Sequence, residues 1–161
     1  MKLNRFEEFR QFLNTLVNYQ IILPNSTAKP PYPCAILSIV NTDISVFNTP
    51  HVADDVQKTL LSVVALLQFD FYAKDQTEGQ QMCTDMINKL IYINRKDLIR
   101  RGFGLKEISI DFQDLTFVEN SKYIYRFSFD VNITWNEEVT RNVTTVESID
   151  VNYENKEFER R

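Results

Sequence analysis

The sequence predicts an α+β fold, an antiparallel or mixed β-sheet with helices packed on one face. Three observations predict it. From Tyr123 to Trp135 the odd positions are Tyr123, Tyr125, Phe127, Phe129, Val131, Ile133 and Trp135, against mostly polar even positions. A period of two marks a strand with one buried and one wet face. From Val56 to Tyr72 a second alternation places Leu61, Val63, Ala65, Leu67, Phe69 and Phe71 on one side. Between these runs, and at the start of the chain, apolar residues instead recur at helical spacing.

At about 3.3 Å per residue the Tyr123–Trp135 strand runs roughly 40 Å, longer than most strands. It needs antiparallel neighbours and a cover, which the helices supply. A chain of 161 residues with 43% hydrophobic content buries a core without staples. Three glycines argue against a Gly-rich phosphate loop. A net charge of −4 argues against general nucleic-acid binding, which needs concentrated Lys and Arg.

Taken in order, Leu3 to Tyr19 reads as a helix, with Phe6, Phe9, Leu13, Leu16 and Val17 on one face. Asn4 is its expected cap, with Glu7 three residues on. Phe12 lies off this stripe, so the buried sector is expected to be wide. Pro24, Pro30, Pro31 and Pro33 make Leu23 to Pro33 an extended linker. Cys34 to Val40 reads as a short buried strand, and Asn41 to Asp55 as a polar loop with Pro50 and the single histidine, His51. The start of the Val56–Tyr72 strand is apolar on both faces, which predicts cover on both sides there, one from a partner chain.

Asp75 caps a second helix to about Ile93, with Glu78 at its third position. Met82, Met86, Leu90 and Ile93, flanked by Cys83, Ile87 and Ile91, form its apolar stripe. Asp97 to Arg101 reads as a further short helix stopped by Gly102 and Gly104. Ile108, Ile110 and Phe112 alternate, and the phase then shifts to Leu115 and Phe117, which predicts a bulge near Gln113-Asp114. Glu119 to Lys122 reads as a hairpin turn into the long strand. Residues 1–136 are expected to form a single α+β domain with its N-terminal helix, and residues 137–161 a polar C-terminal extension, a candidate assembly arm.

No constellation for chemistry emerges. His51 has no second histidine, whereas a metal site needs several ligands; it reads as an exposed loop residue. Asp54-Asp55 and the pair Asp111 and Asp114 lack a cation-loop spacing or glycine pivot and read as solvated carboxylates. Cys34 and Cys83 read as buried free thiols. Tyr123 and Tyr125 read as core. Arg95-Lys96-Asp97-Leu98-Ile99-Arg100-Arg101 is the one basic cluster; it reads as a solvated helix end, and the alternative is a contact with a neighbouring subunit or with DNA. Met1 to Gln20 has no apolar signal core, and Leu60 to Leu67 is too short to span a bilayer. The expected setting is a reducing cytoplasm. The expectation is no catalytic residue, no cofactor and no metal.

The order of segments carries a resemblance. An N-terminal helix precedes Lys29-Pro30-Pro31-Tyr32-Pro33 and a strand, and a long strand ends in Gln68-Phe69-Asp70-Phe71-Tyr72-Ala73 before a helix at Asp75-Gln76-Thr77-Glu78-Gly79. The break Arg101-Gly102-Phe103-Gly104 then leads to a hairpin whose second strand is Tyr123 to Trp135. Over about Tyr32 to Trp135 this resembles the neck or tail terminator proteins of tailed bacteriophages. The resemblance implies a virion structural protein rather than an enzyme. It implies a homo-oligomeric ring, commonly a hexamer, that caps the tail tube and joins it to the head connector. Its partners would be itself, the tail tube protein and the connector or neck proteins. DNA would pass through the lumen without sequence-specific binding, and no membrane is involved. The place implied is the neck of the virion, assembled in the host cytoplasm. The alternatives are another tail or baseplate assembly component, or a small-molecule-binding α+β domain, which needs a polar constellation in a pocket.

Overall fold

The computed structural model describes residues 4–24, 31–46, 51–53, 56–108 and 111–142. In chain order the elements are α1 (Asn4–Asn14), β1 (Gln20–Ile22), β2 (Cys34–Val46), β3 (His51–Ala53), β4 (Val56–Ala73), α2 (Gln76–Asn88), a π-helical turn (Lys89–Ile93), α3 (Arg95–Arg100), β5 (Gly104–Ile108), β6 (Gln113–Asp114), β7 (Phe117–Glu119) and β8 (Lys122–Asn142). The sheet runs β1-β2-β4-β8-β5, with β3 beside β4, and β6 and β7 beside β8. Only β1 and β2 pair in parallel, so the sheet is mixed and the predicted α+β class is the observed one.

The spine is the β4–β8 ladder, which runs from Val56 opposite Asn142 to Ala73 opposite Tyr125 without a shift in register. Leu67, Phe69, Phe71, Phe127, Phe129, Val131 and Ile133 form its buried face. Phe129 stacks on Phe69 at 4.9 Å and on Phe71 at 5.7 Å between centroids; such pairs add about 0.5–1.5 kcal/mol each beyond area burial. Met82, Cys83, Met86, Ile87 and Leu90 pack onto this face from α2 and the turn beyond it. Gly79 allows the closest approach: a Cβ there would lie 2.3 Å from the Phe127 ring.

The caps of α2 are as the sequence predicts. The Glu78 N–H donates to Asp75 Oδ1 at 2.8 Å, and Glu78 Oε2 accepts from the Lys74 N–H at 2.8 Å. The stripe ends sooner than expected. The Asn94 N–H donates to the Lys89 carbonyl, five residues back, and this wider turn rotates the residues after Leu90. Ile93 therefore faces outward. At the end of α3, Gly102 has φ +82°, Phe103 N–H bonds to Leu98 O and Gly102 N–H to Ile99 O. These two bonds, with Leu98 and Phe103 both buried, form a Schellman cap. Gly102 alone stops the helix; Gly104 opens β5.

Other boundaries differ from expectation for local reasons. The first helix ends at Asn14, short of Tyr19, because the Asn14 side chain pairs with both backbone groups of Ile21, at 2.8 and 3.1 Å. Leu16 and Val17 still pack against the core, and Phe9, Phe12 and Leu13 are buried in it, so the buried sector is wide. Glu7 accepts from Arg10 and Gln11. The strand expected to stop at Val40 continues to Val46, and part of the expected Asn41–Asp55 loop is strand paired with β4. Near Gln113-Asp114, where a bulge or kink is expected, the register does change: Ile108 lies opposite Val131 and Gln113 opposite Ser128, two residues more on this side than on β8; a further shift lies at Lys106, between Leu105 and Glu107. The turn at Asn120-Ser121 has φ of 50° and 63°, the primed turn that matches strand twist. Finally, β8 runs past the 136/137 boundary to Asn142, opposite Val56. The expected weak strand from Val143 onward lies outside the described residues.

Candidate assembly surfaces

Beyond the helices, β2, β3, β4 and β8 continue as a sheet arm. Across it, Ile44, Val63 and Trp135 form one row, and Val46, Leu61 and Glu137 the next. These rows share the face that the helices cover elsewhere. Their alignment depends on Val40. Ile39 pairs with Leu67 and Asn41 with Leu66, so Val40 is the extra residue of a bulge. One added residue turns every later side chain to the other face. Without it Asn41, Asp43 and Ser45 would lie over the core line. With it Ile44 and Val46 do, at 46% and 64% exposure; on β8, one row further on, Val139 is 39% exposed. At the root of the arm the Trp135 indole N–H donates to the buried Glu137 carboxylate at 3.0 Å. On the opposite face Lys58 pairs with Glu138 at 3.3 Å.

The other end of the sheet also projects. β4 ends at Ala73, opposite Tyr125, while the β7–β8 hairpin goes on. Leu115, Phe117, Val118 and Tyr123 are exposed there. Tyr123 is thus no core residue: it lies past the last β4 partner, its ring stacked at 6.1 Å on that of Tyr125, which does pack on the core. A third apolar group, Tyr92, Ile93 and Ile99, stands exposed around the π-helical turn.

The basic cluster is divided. Leu98 is buried; Arg95, Lys96 and Arg100 are exposed. Arg101 lies over the Phe12 ring at 4.5 Å, and its carbonyl accepts from the Arg5 guanidinium. The run is therefore partly the glue between α3 and α1. His51 lies on β3, its backbone opposite Lys58, and not in a loop; Asp54 and Asp55 lie outside the described residues. Asp114 accepts from the Thr116 N–H at 3.0 Å and from Gln76 at 3.4 Å. Asp111 is exposed. Among the described residues no group of three or more His, Cys, Asp or Glu is placed to hold a metal. Cys34 and Cys83 are free and buried.

The sheet face away from the helices is polar at its centre. Arg126 bonds to the buried Asp70 carboxylate at 3.0 and 3.1 Å, with the Tyr72 ring 6.0 Å from the guanidinium. A cleft of about 950 Å³ lies between the exit of α1 and the start of α2. Its acidic groups are engaged: Asp75 and Glu78 in the cap, Asp85 with Lys89 at 2.7 Å.

A family model described as phage neck terminator protein matches residues 6–159. The chain belongs to that family. It is thus a structural protein of the bacteriophage virion, of its neck and tail, and the family is not a known enzyme family. Membership places a neck terminator among other neck and tail proteins as its partners. No helix among the described residues is long and apolar enough to cross a membrane. No curated protein matches the chain.

The apolar surfaces of this neck terminator were only partly legible in its sequence. The alternation of Ile44 and Val46 with Asp43 and Ser45 was present, but the bulge that assigns it a face was not. Tyr92 carried no signal, because its exposure follows from the π-helical turn.

Proposed function

We propose that this neck terminator assembles as a closed ring of its own copies, a hexamer, which caps the last ring of the tail tube and joins it to the head connector. One surface of the ring meets the tube and ends its growth. The other meets the connector, and DNA passes through the lumen without sequence-specific binding. Assembly takes place in the host cytoplasm. The polar C-terminal extension, residues 137–161, of which 137–142 lie in β8, serves as an assembly arm toward a neighbouring protein of the neck.

Membership of the terminator family carries this reading, and the arm supports it. A core of this size has no need of rows such as Ile44 and Val46 beyond its helices. Two projections at opposite ends of one sheet suit a subunit that meets different neighbours on different sides. The net charge of −4 suits a passage that does not hold DNA. The test is mass measurement in solution followed by negative-stain imaging of the purified chain, with and without tail tube subunits. Rings of about six copies that seal tube ends are expected. A strict monomer sinks the ring, and rings that leave tubes growing sink the capping role.

A further inference from the structure

The sheet face away from the helices carries a second polar group beside Arg126 and Asp70. Gln68, Asp111, Gln113, Ser128, Phe129 and Asp130 line a hollow of about 100 Å³ there. Ser128 and Asp130 share this face of β8, and Gln68 lies opposite Asp130 on β4. Gln113 of β6 lies opposite Ser128. Asp111 comes from the connection between β5 and β6, where the chain takes two residues more than β8 does. Phe129 turns its ring to the buried face, against Phe69, and offers the hollow only backbone. Asp111, Gln113 and Asp130 are exposed at the rim, whereas Ser128, at the floor, is 3% exposed. Its hydroxyl is buried and has no hydrogen-bond partner among the described residues. Asp70, opposite Ser128 across the ladder, is held by Arg126 instead. Buried polar groups are ordinarily paired, so the orphaned hydroxyl points to a ligand in the hollow.

We propose that this hollow binds Ca²⁺. Its side chains bring two carboxylates, two amides and a hydroxyl, with no His or Cys, and such oxygen sets select hard cations over transition metals. Two carboxylates balance one divalent charge. A volume of about 100 Å³ is about three water molecules' share of the liquid, room for one ion and part of its water. Small-molecule pockets begin at roughly 300 Å³. Mg²⁺ demands a near-ideal octahedron, whereas Ca²⁺ accepts about 6–8 oxygens in flexible geometry, which suits donors brought from β4, β6, β8 and a connection. Water completes the shell, and the Ser128 hydroxyl bonds to that water or to the ion. Arg126 on the same face is paired with Asp70, so its charge is offset. With both carboxylates exposed the site is weak, with a Kd of about 10⁻⁴–10⁻³ M. The ion ties the β5–β6 connection to the β4–β8 ladder, at the root of the projecting β7–β8 hairpin. Asp111 reads as a solvated carboxylate in the sequence because its companions lie on strands far away along the chain.

The experiment titrates the full chain with calcium chloride by isothermal calorimetry and follows its melting temperature. One Ca²⁺ per chain and a rise in melting temperature are expected. Asp111→Asn and Asp130→Asn change exposed positions, so the circular dichroism spectrum should stay as it is while each weakens binding about tenfold or more. Ser128→Ala removes the orphaned hydroxyl. It should raise the melting temperature of the calcium-free chain and shrink the further rise that calcium gives. Asp114→Asn alters a carboxylate outside the hollow, engaged with Thr116 and Gln76, and should leave binding unchanged. Neither heat nor a shift in melting temperature up to about 10 mM Ca²⁺, about tenfold above the weakest expected Kd, overturns the site. Binding that survives both Asp111→Asn and Asp130→Asn overturns it as well, since the ion is then held by the overall negative charge. Mg²⁺ bound as tightly as Ca²⁺ overturns the choice of ion. These readouts do not depend on the number of copies in the assembly, so they stand or fall apart from the ring.

Discussion

Trp135 and Glu137 stand two residues apart on one face of β8, and the indole N–H of the first donates to the carboxylate of the second at 3.0 Å, both side chains buried. The pair closes the end of the core where the arm begins. Phe103 meets the indole edge at 6.4 Å, so the ring is fixed by packing while its N–H serves the carboxylate.

Trp135→Phe keeps most of the apolar contact and removes the donor. A hydrogen bond to a charged group is worth about 1.5–3 kcal/mol, and a loss in that range is expected from urea unfolding. Trp135→Phe and Glu137→Gln together should cost less than the sum of the two single changes, since they act on one interaction.

Gly79→Ala sets helix propensity against packing. Alanine favours a helix by about 1 kcal/mol over glycine. Its Cβ, however, would sit 2.3 Å from two atoms of Phe127 and 3.3 Å from the Ala73 Cβ. Phe127 is wholly buried and its ring has nowhere to turn. Overpacking costs about 1–3 kcal/mol, so a net loss of stability is expected. A raised melting temperature would contradict the close helix–sheet contact.

Arg126→Leu should leave Asp70 buried without its cation. Breaking a buried pair from one side costs about 3–5 kcal/mol; Arg126 keeps 31% of its side chain exposed, which lowers the expected loss to about 1–3 kcal/mol. Asp70→Leu in the same chain should recover much of it, because the uncompensated charge is then gone. Denaturant curves for the single and double variants decide the point.

Burial pushes the Cys83 thiol up to about 12, with the charge of Asp70 adding to it, and burial raises Cys34 in the same direction. At about pH 8, near the ordinary thiol value, neither should react with a thiol reagent in the native chain, and both should react in urea. Between about pH 9 and 12 the folded state keeps a proton that the unfolded state has lost. The unfolded state then binds fewer protons, so stability falls as pH rises. It is full below the ordinary thiol value and lost through the raised one. Urea midpoints on either side of pH 9 should differ accordingly.

The fold was legible where burial decides the pattern. Phe127, Phe129, Val131 and Ile133 must alternate because one face of β8 lies under helices, and Asp75 with Glu78 can be read as a cap because the cap is local. The arm was not legible. Asn41 to Val46 is polar enough for a loop, and only its backbone pairing with Leu61 to Leu66 makes it strand. Tyr123 continued a core pattern past the point where the core stops, since alternation reports a strand's pleat and not the extent of its cover. Ile93 left the stripe through a hydrogen bond five residues long, which side-chain spacing does not encode.

The bulge at Val40 gives the arm a parity. Every residue beyond it is even or odd with respect to the apolar line, and a single insertion or deletion between Val40 and Val46 would exchange the two sets at once, putting Asp43 where Ile44 belongs. Changes of two residues preserve the assignment. Across the neck terminators that share this arm, its length should therefore drift in steps of two, so that a difference in length becomes a record of which face has been kept.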